Sequence, residues 1–269
     1  MSKLFLMAGT KGGIGKSLVA SLLADMAFDR KYRPVLFDCD DENHTLYQAY
    51  QNDAPDVVAY DISMRSRGRK TFPLDKVVNL MVGIERDKKR YPGENAYIID
   101  MKAGTSEKSM NWLGKFPFAE LKAIDIDSQI VGIITEERDS CYTMLPWLRC
   151  FLTRNLSSLV HFSIIKNEIA GDDFEFFAED IRKLIEVADV PCTICQLMDW
   201  GDVYQKEIQR HNTTYGKVAT GRSKIDKFGF MDEYRIKSYY ADTSKMLEPL
   251  WTKESAFIQQ TEADEESDK

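Results

Sequence analysis

Gly9-Thr10-Lys11-Gly12-Gly13-Ile14-Gly15-Lys16-Ser17 follows the apolar run Leu4-Phe5-Leu6-Met7-Ala8 and precedes the helical pattern Leu18, Val19, Leu22, Leu23, Met26. This is a strand, a glycine-rich loop and a helix, in the order that binding of a polyphosphate needs. Glycine lets the backbone pass close to phosphate oxygens, where a side chain would fill their space and restrict φ. The first amide N–H groups of the following helix point at the anion and add the positive end of the helix dipole. In such a loop Lys16 reaches the β and γ phosphates, and the Ser17 hydroxyl ligates the accompanying magnesium ion. The pattern therefore reads as a nucleotide site.

The remaining strands are expected where short apolar runs recur, at residues 35–37, 97–99, 130–134, 162–165 and 193–198. Runs of this length without polar alternation suit parallel strands buried on both faces. Helical patterns lie between them, the clearest at 172–187, where Phe174, Phe177, Ala178, Ile181, Leu184 and Ile185 form one stripe and Asp172 or Asp173 caps the start. The alternation predicts an α/β fold, a doubly wound and mostly parallel sheet flanked by helices, with its ligand beyond the carboxyl ends of the strands.

The residues ending those strands carry the chemistry. Val35-Leu36-Phe37 runs into Asp38-Cys39-Asp40-Asp41, Tyr97-Ile98-Ile99 into Asp100, and Phe162-Ser163-Ile164-Ile165 into Lys166-Asn167. Asp100 has the form of a strand-end carboxylate that holds magnesium through water. An amide such as Asn167 offers both a donor and an acceptor to a base. The guanine-reading order Asn-Lys-x-Asp is absent at Lys166-Asn167-Glu168-Ile169, which favours ATP over GTP.

With Thr10 where the strict phosphate loop has glycine, and with a second lysine in the loop, Lys11-Gly12-Gly13-Ile14-Gly15-Lys16-Ser17 resembles the deviant Walker A motif of the ParA/MinD family of P-loop ATPases. Asp38 and Asp40 fall on the family's Asp-x-Asp pattern at the end of the second strand. The resemblance implies that Lys11 contacts the nucleotide held by a partner subunit, that Asp38 serves the metal region and that Asp40 positions the attacking water. It also implies an adenine contact from Asn167, with Gly12 to Leu18 around the phosphates and Ser17, Asp38 and Asp100 around the magnesium. The motifs cover about residues 2–197. After Asp100 the chain reads Met101-Lys102-Ala103-Gly104, without the family's Thr-Pro-Pro-like sequence, and residues 41–95 and those beyond Trp200 match nothing in it.

The implied activity is Mg²⁺-dependent ATP hydrolysis, slow and stimulated by a protein partner. ATP would close a sandwich homodimer that holds DNA nonspecifically, or a cargo, to segregate or position it, and hydrolysis would release it. Basic clusters at Arg65-Ser66-Arg67-Gly68-Arg69-Lys70, at 86–90 and among Lys217, Arg222, Lys224, Lys227, Arg235 and Lys237 supply a DNA reading, each standing against the plainer one of a solvated face. Two alternatives stand beside it. A MinD-like membrane-positioning switch needs a cationic amphipathic helix at the C-terminus, whereas this chain ends acidic. A metabolic ATP-dependent enzyme on the same fold needs a substrate pocket the sequence does not reveal, and an iron-cluster version lacks cysteines between Cys39 and Cys141.

At 269 residues, one domain over 1–253 is expected. Residues 254–269 hold six acids and one lysine and read as a disordered acidic tail; they carry −5 of the net charge of −7. The five cysteines are an odd number and scattered, which suits a reducing cytoplasmic setting. Cys192 and Cys195, three apart in a strand-like run, point to opposite faces and cannot share one ion. No apolar stretch is long enough to span a membrane and no signal-like segment opens the chain, so a soluble protein is expected.

Overall fold

The computed structural model describes residues 1–40, 42–63, 74–102, 106–199 and 201–253. Asp41, the arginine-rich residues 65–70, Ala103-Gly104, Trp200 and the acidic tail lie outside them. The strands are β1 (Ser2–Ala8), β2 (Arg33–Asp38), β3 (Val58–Asp61), β4 (Asn95–Asp100), β5 (Ile126–Ile134), β6 (Val160–Asn167) and β7 (Cys192–Leu197). They form one seven-stranded sheet in the order β3-β2-β4-β1-β5-β6-β7, and every pairing is parallel.

Parallel neighbours need crossovers, and the crossovers place helices on both faces. The helices are α1 (Lys16–Asp29), α2 (Thr45–Tyr50), α3 (Asp75–Arg86), α4 (Ser106–Leu113), α5 (Phe118–Ala123), α6 (Arg138–Thr153), α7 (Lys183–Val187), α8 (Asp202–Arg210), α9 (Tyr215–Ala219), α10 (Phe230–Met246) and α11 (Pro249–Thr252). Alternate residues of each strand serve opposite cores. Leu4, Leu6, Phe37, Tyr97 and Phe162 pack with α3, α5 and α6, whereas Phe5, Met7, Leu36, Ile98 and Ile165 pack with α1, α10 and α11. Two apolar faces are why these strands read as unbroken apolar runs, and each fully buried Leu, Ile or Phe contributes about 1.5–3 kcal/mol.

Three elements differ from the sequence expectation. β3 was not expected; it is one edge of the sheet, its residues are half-buried or exposed, and its apolar signal is correspondingly weak. The helix expected over 172–187 has a π-helical stretch, Phe177–Arg182, leading into α7. Phe177, Ile181 and Ile185 are buried at a spacing of four, and the widened turn keeps them on one line. Cys192 and Cys195 do lie in opposite cores.

The register places the chemistry. Asp38 pairs with Asp100, Asp100 with Met7, and Ala8 with Gly132, so the loop after β1 leaves the sheet level with two strand-ending carboxylates. At the opposite end of the strands, Trp251 packs on Phe5 and Tyr32 with ring centroids 4.9 and 5.5 Å apart, and Lys253 pairs with Asp127 at the start of β5. Tyr239, Tyr240 and Trp251 are buried packing residues. Among the described residues no helix is long and apolar enough to cross a membrane.

Candidate phosphate and metal site

The loop keeps its shape through three glycines at positive φ, Gly9 (124°), Gly13 (77°) and Gly15 (91°). Gly15 caps α1, and a Cβ there would run into the Asn167 amide, so the position needs glycine for space as well as for φ. Asn167, 1% exposed at the end of β6, donates from Nδ2 to the Ile14 carbonyl at 2.9 Å and ties the loop to the sheet. The first turn of α1 contains no acidic residue, which leaves its amides and dipole available to an anion. Gly12 and Gly13 are exposed, Ile14 is buried beneath them, and Ser17 and Leu18 are half-buried in the first turn.

Lys16 is 7% exposed, and its Nζ donates to the Lys11 carbonyl at 2.8 Å. Burial lowers its pKa, while Asp100 and then Asp40 favour the charged form. Lys11 turns the other way and pairs with Glu137, the residue before α6. Sequence reasoning did not find Glu137, because its position depends on β5 lying beside β1.

The three carboxylates expected at the site occupy distinct environments. Asp100 is 1% exposed, and its Oδ2 is buried without a hydrogen-bond partner. Burial pushes its carboxyl up to about 7; the Ser17 hydroxyl and Lys16 pull down, and Asp38 and Asp40 push up further. An orphaned carboxylate oxygen beside a serine hydroxyl fits a hard oxygen-seeking cation, and Ser17 and Asp100 are the residues that would hold magnesium. Asp38 is equally buried, but both its oxygens are used: Oδ1 accepts from the Asp40 N–H at 3.0 Å and Oδ2 from the Tyr47 N–H at 2.9 Å. It thereby fixes the loop that carries Asp40 to the first turn of α2, and burial raises its pKa too. Asp40 is half-buried and accepts from the Glu42 N–H at 3.2 Å and the Asn43 amide at 2.9 Å. Lys102 and Glu42, 2.7 Å apart, join the segment after β4 to this loop.

Beyond Leu18, a recess is bounded by Asn167, Met198, Asp199, Gly201 and Tyr215. Asp199 accepts from the Gly201 N–H at 3.0 Å. The residues after β7 join the site because β7 lies next to β6, which no local sequence pattern disclosed.

In the basic segment at 217–237, Lys217 and Arg222 are drawn into the fold, whereas Lys224, Lys227, Arg235 and Lys237 are exposed. Lys217 is 6% exposed; it donates to the Ala49 carbonyl at the end of α2 and pairs with Asp53 at 2.6 Å. Arg222 pairs with the fully buried Asp25 at 2.8 Å, Lys227 pairs with Glu207 at 3.1 Å, and Arg235 donates to the Tyr204 hydroxyl at 3.4 Å. In the 86–90 cluster, Lys88 pairs with Glu85 at 2.6 Å, and Arg90 lies 5.4 Å from the Tyr91 ring. That cluster follows α3 at the amino ends of the strands, the end away from the loop.

No known protein family profile matches the chain, and no characterised protein matches it by sequence. Solved structures do. A protein described as a plasmid partition protein of Borrelia burgdorferi B31, bound to AMPPNP, superposes with TM-score 0.56 at 14% identity, over 94% of this chain and 100% of that one. MinD of Aquifex aeolicus gives 0.47 at 12% identity over 90% and 96%, and an ATP complex of Cyanothece McdA gives 0.48 at 11% over 91% and 96%. Read with the all-parallel sheet and the loop after β1, the similarity to the partition protein shows that this chain has the fold of the ParA/MinD P-loop ATPases.

Proposed function

We propose that the protein is a magnesium-dependent ATPase switch of the ParA type, which closes as a homodimer on ATP, engages a cargo and is released by hydrolysis. The observation carrying this reading is the meeting, at one end of the sheet, of an anion-binding loop with a buried carboxylate whose free oxygen lacks a partner. The loop amides and Lys16 bind the phosphates, Lys16 exchanging the Lys11 carbonyl for a phosphate oxygen. Magnesium, when bound, supplies charge that offsets what develops on the transferring phosphoryl group. Ser17 and Asp100 hold it, with Asp38 behind them fixing the loop. Asp40 orients the attacking water by accepting its hydrogen bond. The recess beyond Leu18 receives the base, with Asn167, Asp199 and Gln205 among its polar residues.

Lys11 completes the site of the partner subunit once it leaves Glu137. Cargo is bound on the assembled dimer in the cytoplasm, with a protein partner stimulating release. Duplex DNA as cargo rests on the arginine-rich residues 65–70 and on the exposed Lys224, Lys227, Arg235 and Lys237, since Lys217 and Arg222 are engaged within the fold. The test is molar mass by light scattering with no nucleotide, ADP and ATP, alongside a duplex-DNA shift at low salt. A dimer formed only with ATP supports the switch, and DNA retention by that dimer supports the cargo. A mass independent of nucleotide refutes the switch, and an ATP dimer that ignores DNA refutes the DNA reading alone.

A further inference from the structure

Three exposed large apolar side chains gather at the start of α10: Phe230, Met231 and Tyr234 are 79, 52 and 59% exposed. Apolar surface concentrated in this way marks an interaction site. Exposed cations surround it, drawn together by α8. Arg235 donates to the Tyr204 hydroxyl at 3.4 Å, and one oxygen of Glu207 serves both Lys227 at 3.1 Å and Arg210 at 2.5 Å, which leaves positive charge in excess. Lys224 and Lys237 are exposed, with no ion pair among the described residues. Asp226 and Glu233 are exposed beside them, yet over residues 206–237 eight lysines and arginines stand against four acids. In a chain of net charge −7, cations gathered at one place fit an anionic occupant.

We propose that the occupant in the resting protein is the chain's own acidic stretch, residues 262–268, laid along α10 onto this cationic end. The stretch holds five acids in seven residues, and residues 255–261 before it carry no charge. That spacing matches the distance to be crossed. Lys253, where the described residues end, is held by Asp127 at the amino ends of the strands, whereas Tyr239 lines the recess at the carboxyl ends and the start of α10 lies beyond it. The 17 residues of α10 span about 25 Å at about 1.5 Å per residue. Glu262 is nine residues beyond Lys253, a reach of about 30 Å when extended, and Asp268 reaches about 50 Å. The basic residues 86–90 share the Lys253 end, where the extended chain presents its uncharged spacer instead. The contact rests on charge and reach and not on the ATPase reading. Its consequence does rest on that reading: where duplex DNA is the cargo, the stretch competes for the same exposed lysines and regulates capture.

Zero-length carbodiimide cross-linking of the full-length, nucleotide-free protein at low salt tests the contact, with unlabelled and ¹⁵N-labelled chains mixed so that peptide mass spectrometry separates links within a chain from links between chains. Carboxyls of residues 262–268 should join Lys224, Lys227 or Lys237 within one chain, and the links should vanish at about 1 M salt, where the screening length is about 3 Å. In a second measurement, the variant E262Q/D264N/E265Q/E266Q/D268N should show severalfold faster acylation of Lys224 and Lys237, while the exposed Lys31 and Lys76 react as before. Links confined to Lys88 or Lys89, links only between chains, no links, or acylation unchanged by the variant would each overturn the proposal. Tighter retention of duplex DNA by the variant than by the native protein would support the regulatory consequence. If neither binds DNA while the links form, the DNA reading fails and the contact stands.

Discussion

Replacing Asp100 with asparagine should stabilise the nucleotide-free protein at neutral pH and remove its response to magnesium. Asp100 is 1% exposed, and burial is the largest cause of the rise in its pKa from 3.8 to about 7. A folded-state pKa above the unfolded one means that the folded chain binds the proton more tightly. The stability this confers is complete below the unfolded value and is lost as pH rises through the folded one. At about 1.36 kcal/mol per pKa unit, a rise from 3.8 to about 7 corresponds to about 4 kcal/mol, an upper bound because structure relaxes around a buried charge. Asparagine has the same shape and no charge, so its advantage over the native residue should be small at pH 4 and grow toward that bound by pH 8. Urea unfolding followed by tryptophan fluorescence, in chelator, reads the difference at each pH. With ADP present throughout, added magnesium should then stabilise the native protein and leave the asparagine variant unmoved. A difference that stays constant from pH 5 to pH 8, or a native protein that gains on the variant as pH rises, would refute the reasoning.

Gly15→Ala should abolish nucleotide binding and lower the melting temperature, because its Cβ meets the Asn167 amide and its φ is strained for any L side chain; near-native affinity by titration calorimetry would contradict this. Lys217→Met should cost roughly 1–3 kcal/mol in urea, since it leaves Asp53 and the Ala49 carbonyl without their cation, while DNA binding stays unchanged; a variant of native stability with weakened DNA binding would mean that this lysine faces the surface after all. Lys11→Ala should keep ADP affinity and lose the ATP-dependent gain in mass by light scattering; normal dimerisation would remove its cross-subunit role.

The glycine-rich loop between β1 and α1 was legible in the sequence because its geometry is local: glycines that need positive φ, a strand before and a helix after. Asp38 and Asp100 were legible for a related reason, as acids that end fully buried strands. The role of Asp38 was legible only in part, since the Tyr47 N–H that occupies one of its oxygens comes from a helix the sequence did not announce. β3 escaped notice because its four residues are half-buried or exposed and leave no apolar run, unlike the other edge strand, β7, most of which is buried. Lys217 and Arg222 read as surface cations because sequence shows a cluster of charge but not Asp53 or Asp25, which meet them only after α1 and α2 pack against α9. Glu137 and Asp199 were invisible for the same cause, their nearness to the loop and to Asn167 being set by strand order.

Calorimetric titration of ATP into the native protein and into Lys16→Ala, each with magnesium and with chelator, tests the central claim most directly. One ATP bound per chain, tighter with magnesium and undetectable in Lys16→Ala, is the predicted result. A native protein that binds no ATP, or a variant that binds it equally well, would contradict the assignment of this loop as the nucleotide site.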